Sequence, residues 1–194
     1  MKEQGNIHFC GVGGQGILLA SELTAHALLA AGFDVKKSEV HGMAQRGGSV
    51  EAHLRFSTTK VYSPLIEPGA VDIMLAFEMM EAVRYLPLLN RQSTVIVNTQ
   101  KIAPPAVATG KMTYPDECLN ELTSRSIKVV PVDGFAIALQ VGNLKAVNVA
   151  LVGVLSRYLP MDEATWVAVI KKRLPAKILG VNLQAFQEGR KAGL

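Results

Sequence analysis

The stretch NIHFCGVGGQGILLASELTAHALLAAG, residues 6–32, joins a strand-like run to a helix-like run through a glycine-rich turn. The apolar run before the turn is short, and the apolar residues after it recur with helical spacing until Gly32. Within it, GVGGQG at residues 11–16 has the GxGxxG spacing, in which glycines allow a tight turn and free helix N–H groups attract an anion. The stretch therefore predicts the opening βα unit of a Rossmann-like sheet.

Outward from this unit, short apolar runs alternate with helical stretches. AVDIMLAFE (residues 70–78), STVIVNT (93–99) and SIKVVPVD (126–133) are each typical of a buried strand. This alternation predicts an α/β fold, with a Rossmann-like open, mostly parallel sheet flanked by helices and a helical C-terminal part from Gly134. At 194 residues, the chain fits a single domain spanning residues 1–194.

Three segments between the opening βα unit and residues 70–78 are predicted to form the edge of the sheet. DVKKSEV (residues 34–40) indicates a second strand, and SVEAHLRFS (49–57) alternates apolar and polar residues like a strand with one wet face. KVYSPLI (60–66) is a candidate hairpin partner for that strand.

Composition excludes several function classes. The net charge of +4 is spread out and is not interleaved with aromatic residues, so a nucleic-acid partner is not expected. No run approaches the roughly 20 apolar residues of a membrane helix, and the amino terminus does not resemble a signal peptide, so we expect a cytoplasmic protein without a membrane partner. Cys10 and Cys118 are too few to hold an iron–sulfur cluster or a structural zinc, and buried free thiols are expected.

The glycine turn is a candidate cofactor site. An acid about 20 residues beyond the turn would complete a dinucleotide site, and Glu39 at the end of the second strand is placed for that role. The alternative is a turn that needs glycine only for close packing of strand and helix. The candidate cofactor-binding residues are Gly11, Gly13, Gly14, Gln15, Gly16 and Glu39.

A second polar loop, HGMAQRGGSV at residues 41–50, follows the second strand. Open parallel sheets bind ligands at the carboxyl ends of their strands, so we expect this loop to border a substrate or coenzyme A cleft or a partner interface. Arg46 could clamp a carboxylate or phosphate, or instead pair with Glu39 or with a partner subunit. The candidate residues are His41, Gly42, Met43, Gln45, Arg46, Gly47, Gly48 and Ser49.

No catalytic residue and no metal site is predicted in this chain. His8, His26 and His53 fall in separate elements without ligand spacing, so each is interpreted as a hydrogen-bonded structural histidine. The segment VDG, residues 132–134, departs from the GDG thiamine signature, and we interpret Asp133 as a helix cap. Serines lack the GxSxG context of a nucleophile.

Taken together, residues 11–16 and 38–48, with Gly142-Asn143, Asn148 and Gly153, resemble the gamma subunit, or fused gamma domain, of the 2-oxoacid:ferredoxin oxidoreductases. The matching segments span most of the chain. Within this family the sequence is most similar to the members that act on arylpyruvates such as indolepyruvate.

The resemblance implies a reaction and partners. Such complexes decarboxylate a 2-oxoacid on thiamine diphosphate with Mg, pass electrons through iron–sulfur clusters to ferredoxin, and release acyl-CoA and CO2. The thiamine and the clusters belong to a large partner subunit, so this chain is expected to be a non-redox subunit that binds no cofactor alone.

Other interpretations stay open. Pyruvate and 2-oxoglutarate oxidoreductases share the gamma architecture, so this chain could belong to either. It could also be a stand-alone dinucleotide-binding protein, or a purely structural docking subunit.

Overall fold

The computed structural model describes residues 3–41, 47–125 and 127–193, and within them six strands form one sheet in the order β2-β3-β1-β4-β5-β6. Strands β1, β4, β5 and β6 are parallel, whereas β3 is antiparallel to both β1 and β2. The predicted Rossmann-like, mostly parallel sheet is therefore confirmed, with an antiparallel addition at one edge. The strands are β1 (Gln4–Val12), β2 (Asp34–His41), β3 (Ser49–Ser57), β4 (Val71–Ala76), β5 (Leu89–Asn98) and β6 (Lys128–Val132).

Helices flank both faces of the sheet, and the chain is helical after β6, as predicted. Short 3-10 turns at Leu86–Leu88, Leu144–Ala146 and Ser156–Tyr158 connect some of the helices. Among the described residues, no helix combines the length and the apolar character needed to cross a membrane. The helices are α1 (Ile17–Ala30), α2 (Met79–Arg84), α3 (Pro105–Ala108), α4 (Cys118–Ser124), α5 (Gly134–Gln140), α6 (Val147–Leu155), α7 (Glu163–Arg173) and α8 (Ala176–Ala192).

The prediction of a hairpin partner at residues 60–66 was wrong. This segment contains Pro64, forms no strand, and leaves Tyr62 85% exposed. Instead, β3 lies between β2 and β1 and pairs with both of them. β3 buries side chains on both of its faces, Leu54 on one and His53 on the other, as is typical of an interior strand.

The two faces of the sheet have separate cores. Helices α1, α6, α7 and α8 cover one face, which buries Ile7, Phe9, Leu54, Leu75 and Ile96. Helices α2 and α4 cover part of the other face, over β1, β4, β5 and β6. We call these the α1 face and the α2 face. The carboxyl edge of β1 lies between them, and the glycine turn begins there.

Candidate functional site

The glycine turn has the backbone conformation that its sequence predicts. Gly14 and Gly16 have φ angles of 102° and 82°, in the left-handed region that favours glycine. Gly16 caps α1 without a side-chain hydrogen bond, and the first turn of α1 has no acidic residue. The positive end of the α1 dipole therefore faces the carboxyl edge of the sheet, where it favours an anion.

Gln15 belongs to the structure of the turn. Its Oε1 accepts a hydrogen bond from the Val12 N–H at 2.7 Å, and its Nε2 donates to the Phe77 carbonyl at 2.8 Å. Gly11 is equally constrained, because a Cβ there would overlap the Phe77 and Gln15 side chains. These two candidates hold the turn against the end of β4, whereas Gly14 is exposed on its outer surface.

The second loop meets the glycine turn at its far end. The Gly13 N–H donates to the Gly48 carbonyl at 2.8 Å, and Gly47 has a left-handed φ of 81°. Ser49 Oγ donates to the Glu81 carboxylate and lies 3.1 Å from the Tyr85 hydroxyl. The two predicted motifs therefore lie side by side. Four of the candidates, Gly42, Met43, Gln45 and Arg46, lie outside the described residues, and His41 is the last residue of β2.

Two cavities flank the glycine turn. One, of about 420 Å³, has Gly14, Gly16, Asn148 and Lys145 on its polar side and Phe135 among its apolar residues. Asn148 is 7% exposed and packs on Gly16, where a Cβ would overlap its amide. Close packing at Gly16 and an open cavity beside Gly14 therefore coexist at this turn.

The second cavity, of about 280 Å³, lies on the other side of the turn and is lined by Val12, Gly47, Ser49, Glu81 and Arg84 among others. Glu81 is 2% exposed, and its Oε1 accepts a hydrogen bond from Arg84 Nε at 3.0 Å. This cavity thus contains a paired carboxylate and a half-exposed guanidinium. A larger cavity of about 590 Å³ is lined by Gln4, Asn6 and Asp72, at the opposite, amino-terminal edge of the sheet.

Glu78 fixes the segment that borders the second cavity. It is fully buried, and its Oε2 accepts hydrogen bonds from the N–H groups of Met80 at 2.7 Å and Glu81 at 3.1 Å. Its Oε1 accepts from the Ile102 N–H at 3.2 Å and from the Tyr114 hydroxyl. Burial and this carboxylate raise the pKa of Tyr114, so the phenol keeps its proton. One buried carboxylate thereby joins the start of α2 to residues 99–117.

Glu39 does not stand beside the glycine turn. It lies on β2, across the ladder from Ala52, and β3 separates β2 from β1. Its carboxylate pairs with Lys37. A dinucleotide site requires the acid at the end of the strand next to the glycine turn. The insertion of β3 therefore removes the arrangement that the sequence spacing suggested for Glu39.

The strand pairing of β1 with β3 forms a cluster that the sequence analysis missed. His8 and His53 are cross-strand neighbours, and Glu51 Oε2 lies 2.9 Å from His8 Nε2 and 3.6 Å from His53 Nε2. Contacts with His53 and His8 lower the pKa of Glu51 to about 2. Burial lowers the pKa of His8, so its imidazole stays neutral at pH 7. Prediction of the register of β3 against β1 would have been needed to find this cluster.

Ligand atoms of His8, Glu51 and His53 lie within 4.8 Å of one another, a spacing that a metal ion could use. The tautomers oppose this interpretation. The Ile66 N–H donates to His53 Nδ1 at 3.1 Å, so the proton of the neutral ring is on Nε2, the atom that would have to bind the metal. His8 Nδ1 is buried without a hydrogen-bond partner among the described residues, whereas a metal-bound histidine normally donates from its second nitrogen. The cluster is better described as one carboxylate that accepts a hydrogen bond from His8 Nε2 and lies within ion-pair distance of His53 Nε2.

The remaining sequence predictions concern single residues. Asp133 caps α5 by accepting a hydrogen bond from the Ala136 N–H at 2.8 Å, as predicted. Cys10 and Cys118 are buried free thiols, also as predicted. Burial raises the pKa of the Cys10 thiol, so it is not a reactive thiolate. His26 is on the surface of α1, 3.8 Å from Glu22, and is not hydrogen-bonded in the core.

The fold and the carboxyl edge of its sheet together define an α/β protein of the Rossmann-like class, with a glycine turn at a helix N-terminus between two cavities. The sequence matches the family model Pyruvate ferredoxin/flavodoxin oxidoreductase over residues 6–192. The chain belongs to this family, and the resemblance to 2-oxoacid:ferredoxin oxidoreductases is confirmed.

Individual relatives agree with this assignment. The chain is 43% identical over 188 residues to the indolepyruvate oxidoreductase subunit IorB of Archaeoglobus fulgidus, covering 95% of this chain and 92% of that protein. The pyruvate oxidoreductase subunit PORC of Thermotoga maritima has the same fold, with a TM-score of 0.74, 22% identity and coverage of 98% and 97% of the two chains. The 2-oxoglutarate:ferredoxin oxidoreductase of Magnetococcus marinus also contains the fold, with a TM-score of 0.77, 19% identity and coverage of 100% of this chain but 31% of that one.

Proposed function

We propose that this chain is the non-redox subunit of an indolepyruvate:ferredoxin oxidoreductase, which converts an arylpyruvate to acyl-CoA, CO2 and reduced ferredoxin. The observation that carries the proposal is the 43% identity to an indolepyruvate oxidoreductase subunit over nearly the full length of both chains. Identity is 28% and 29% to two pyruvate/ketoisovalerate gamma subunits, 22% to the pyruvate oxidoreductase subunit PORC and 19% to the 2-oxoglutarate enzyme, which favours the arylpyruvate class. Residues 1–194 act as one gamma-type domain in the cytoplasm.

The residues of this chain fit the role of a subunit without its own redox centre. With two cysteines in the sequence, it cannot supply the four thiolates of an iron–sulfur cluster. We therefore assign thiamine diphosphate, Mg and the clusters to a large partner subunit, and coenzyme A and ferredoxin to the assembled complex. The edge formed by the glycine turn and the loop 41–49 faces the partner and forms one wall of the cleft through which the oxoacid or coenzyme A enters.

Co-purification tests the complex. The tagged chain is expressed in its source organism and purified, and the product is assayed for thiamine, iron and viologen reduction with indolepyruvate, pyruvate or 2-oxoglutarate. We expect a large partner that contains thiamine and iron, with indolepyruvate as the preferred oxoacid. A chain that purifies alone at full yield contradicts the proposal. Preference for pyruvate or 2-oxoglutarate would instead make this chain a subunit of the corresponding oxidoreductase.

A double substitution tests the role of the loop. Arg46→Ala with Gln45→Ala in the assembled complex should raise KM for the oxoacid or for coenzyme A about tenfold, because a charged hydrogen bond to a carboxylate or phosphate is lost. The matched control is Arg91→Ala, on a strand outside the turn and the loop. Unchanged assembly together with unchanged kinetics for both substrates would disprove the assignment of the loop to the cleft.

Calorimetry of the isolated chain with NAD, FAD and coenzyme A tests the alternative of a stand-alone dinucleotide-binding protein. Because Glu39 is separated from the glycine turn by β3, we expect no micromolar binding of NAD or FAD. Micromolar binding of either would favour a stand-alone dinucleotide-binding protein.

A further inference from the structure

The α2 face is not covered evenly. Helices α2 and α4 pack over β1, β4, β5 and β6, whereas on the outer part of this face Val40 of β2 is exposed and Glu51 of β3 is partly exposed. Val40 is 52% exposed and is the cross-strand partner of Glu51, so both side chains point to this side. Leu65 is 57% exposed, next to Ile66, whose N–H is bound to His53. We call Val40, Glu51, His53 and Leu65 the β3 patch.

At the centre of the β3 patch is a carboxylate held in a fixed position. Both imidazoles approach the same oxygen, Glu51 Oε2, at 2.9 and 3.6 Å. The other oxygen, Oε1, accepts no hydrogen bond from the residues that the structure describes, and the side chain is 20% exposed. Because its orientation is fixed before any partner arrives, this oxygen can bind a cation with little loss of side-chain entropy.

The surroundings of Glu51 favour a particular kind of cation. Val40, the cross-strand partner of Glu51, provides exposed aliphatic surface beside the carboxylate, and Leu65 is exposed next to Ile66, which is bound to His53. Arginine and lysine have an apolar stem and a charged head, so such a side chain can cover the aliphatic residues while its head reaches the carboxylate. A metal ion is disfavoured by the tautomer of His53 described above. The patch therefore matches a basic side chain surrounded by apolar neighbours on another protein.

We propose that the β3 patch is a docking surface for the large subunit, and that Glu51 receives an arginine or lysine of that subunit. This inference rests on the proposed function. In the 2-oxoglutarate oxidoreductase chain, a fold like this one accounts for 31% of the length, so the remaining chain is available to cover its surface. A second copy of this chain is a poorer match, because a two-fold contact centred on the patch would bring two Glu51 carboxylates together.

Two substitutions test the patch in the purified complex. Val40→Asp places a charge at the interface, and Glu51→Gln removes the ionised carboxylate but keeps its size. We expect each to weaken binding of the large subunit about tenfold or more. For Glu51→Gln, the affinity should also depend less on salt concentration, because an ion pair has been removed.

The matched control is Leu29→Asp on α1, where the wild-type residue is 50% exposed, close to the 52% of Val40. It should change the affinity by less than about threefold, as is usual for residues outside an interface. Circular dichroism and thermal unfolding of each variant show whether a loss of affinity reflects unfolding. As a second test of the same surface, Leu65→Asp should weaken binding like Val40→Asp.

The outcomes distinguish the two proposals. If the wild-type chain binds no large subunit, the proposed function fails. If it does bind and Val40→Asp binds equally well, the docking surface is wrong. If Glu51→Gln binds like the wild type at all salt concentrations, the role of Glu51 is wrong. A dimer of the isolated chain that Val40→Asp dissociates would assign the patch to a second copy instead of the large subunit.

Discussion

The α1 face of the sheet is packed with aliphatic and aromatic side chains, whereas the α2 face combines a smaller apolar core with imidazoles, carboxylates and a thiol on the same strands. On β1 the change occurs between neighbours: Ile7 and Phe9 point to the α1 face, and His8 and Cys10 to the other. The α1 face buries apolar area, which stabilises the fold. The α2 face contains hydrogen-bonded polar groups that contribute less net stability but fix the direction of their side chains. The α1 face therefore stabilises the domain through apolar burial, whereas the α2 face adds to a smaller apolar core several polar groups with fixed side-chain directions.

The largest effect is expected on the α1 face. Phe9 is fully buried, so Phe9→Ala leaves a cavity in the core and should lower the free energy of unfolding by roughly 3–5 kcal/mol. Urea denaturation followed by circular dichroism measures the change. The control is Tyr62→Ala at an 85% exposed position, which should stay within about 0.5 kcal/mol of wild type. A loss below about 1.5 kcal/mol for Phe9→Ala would mean that this face is not the main source of stability.

The features that could be predicted from the sequence are those whose interacting residues lie within one helix, strand or turn. The glycine turn, α1 and the parallel strands follow from local spacing, because each signal lies within one element. The α2 face does not, since the contact of His8 with Glu51 depends on how β3 is paired. The same insertion separates Glu39 from the glycine turn. Alternation within residues 49–57 predicts a strand, but its neighbours in the sheet are decided by long-range packing.

Acidification should destabilise the protein through the α2 face. Burial lowers the pKa of His8 below its ordinary 6.5, so the folded state binds fewer protons than the unfolded state, and stability falls as the pH drops below about 6.5. Glu51, with its pKa lowered from 4.5 to about 2, adds stability that is lost as the pH falls through that interval. Thermal unfolding between pH 7 and pH 2 records both losses.

Single variants assign each pH-dependent loss of stability to one residue. His8→Gln should flatten the loss below pH 6.5, and Glu51→Gln should flatten the loss below pH 4.5. His26→Gln is the control, because His26 lies on the surface of α1 with its side chain 40% exposed. A wild-type stability curve that His8→Gln and Glu51→Gln leave unchanged would show that these buried groups do not titrate with folding.

The smallest effect is expected at the cap of α5, which carries Phe135 at the rim of the 420 Å³ cavity. Asp133→Ala removes the acceptor for the Ala136 N–H and should cost about 1 kcal/mol. Asp133→Asn should retain most of that stability, because asparagine is an equally good cap. Equal destabilisation by both variants would mean that the charge, not the cap hydrogen bond, matters at this position.

We propose that the oxidoreductase requires this chain although the chain has no redox centre of its own. The direct measurement is reconstitution: the large subunit, isolated from the complex, is assayed for indolepyruvate-dependent viologen reduction with increasing amounts of this chain. We expect activity to rise and to saturate at one chain per large subunit, with no activity from this chain alone. Full activity of the large subunit without this chain, unchanged on its addition, would show that the oxidoreductase does not require it.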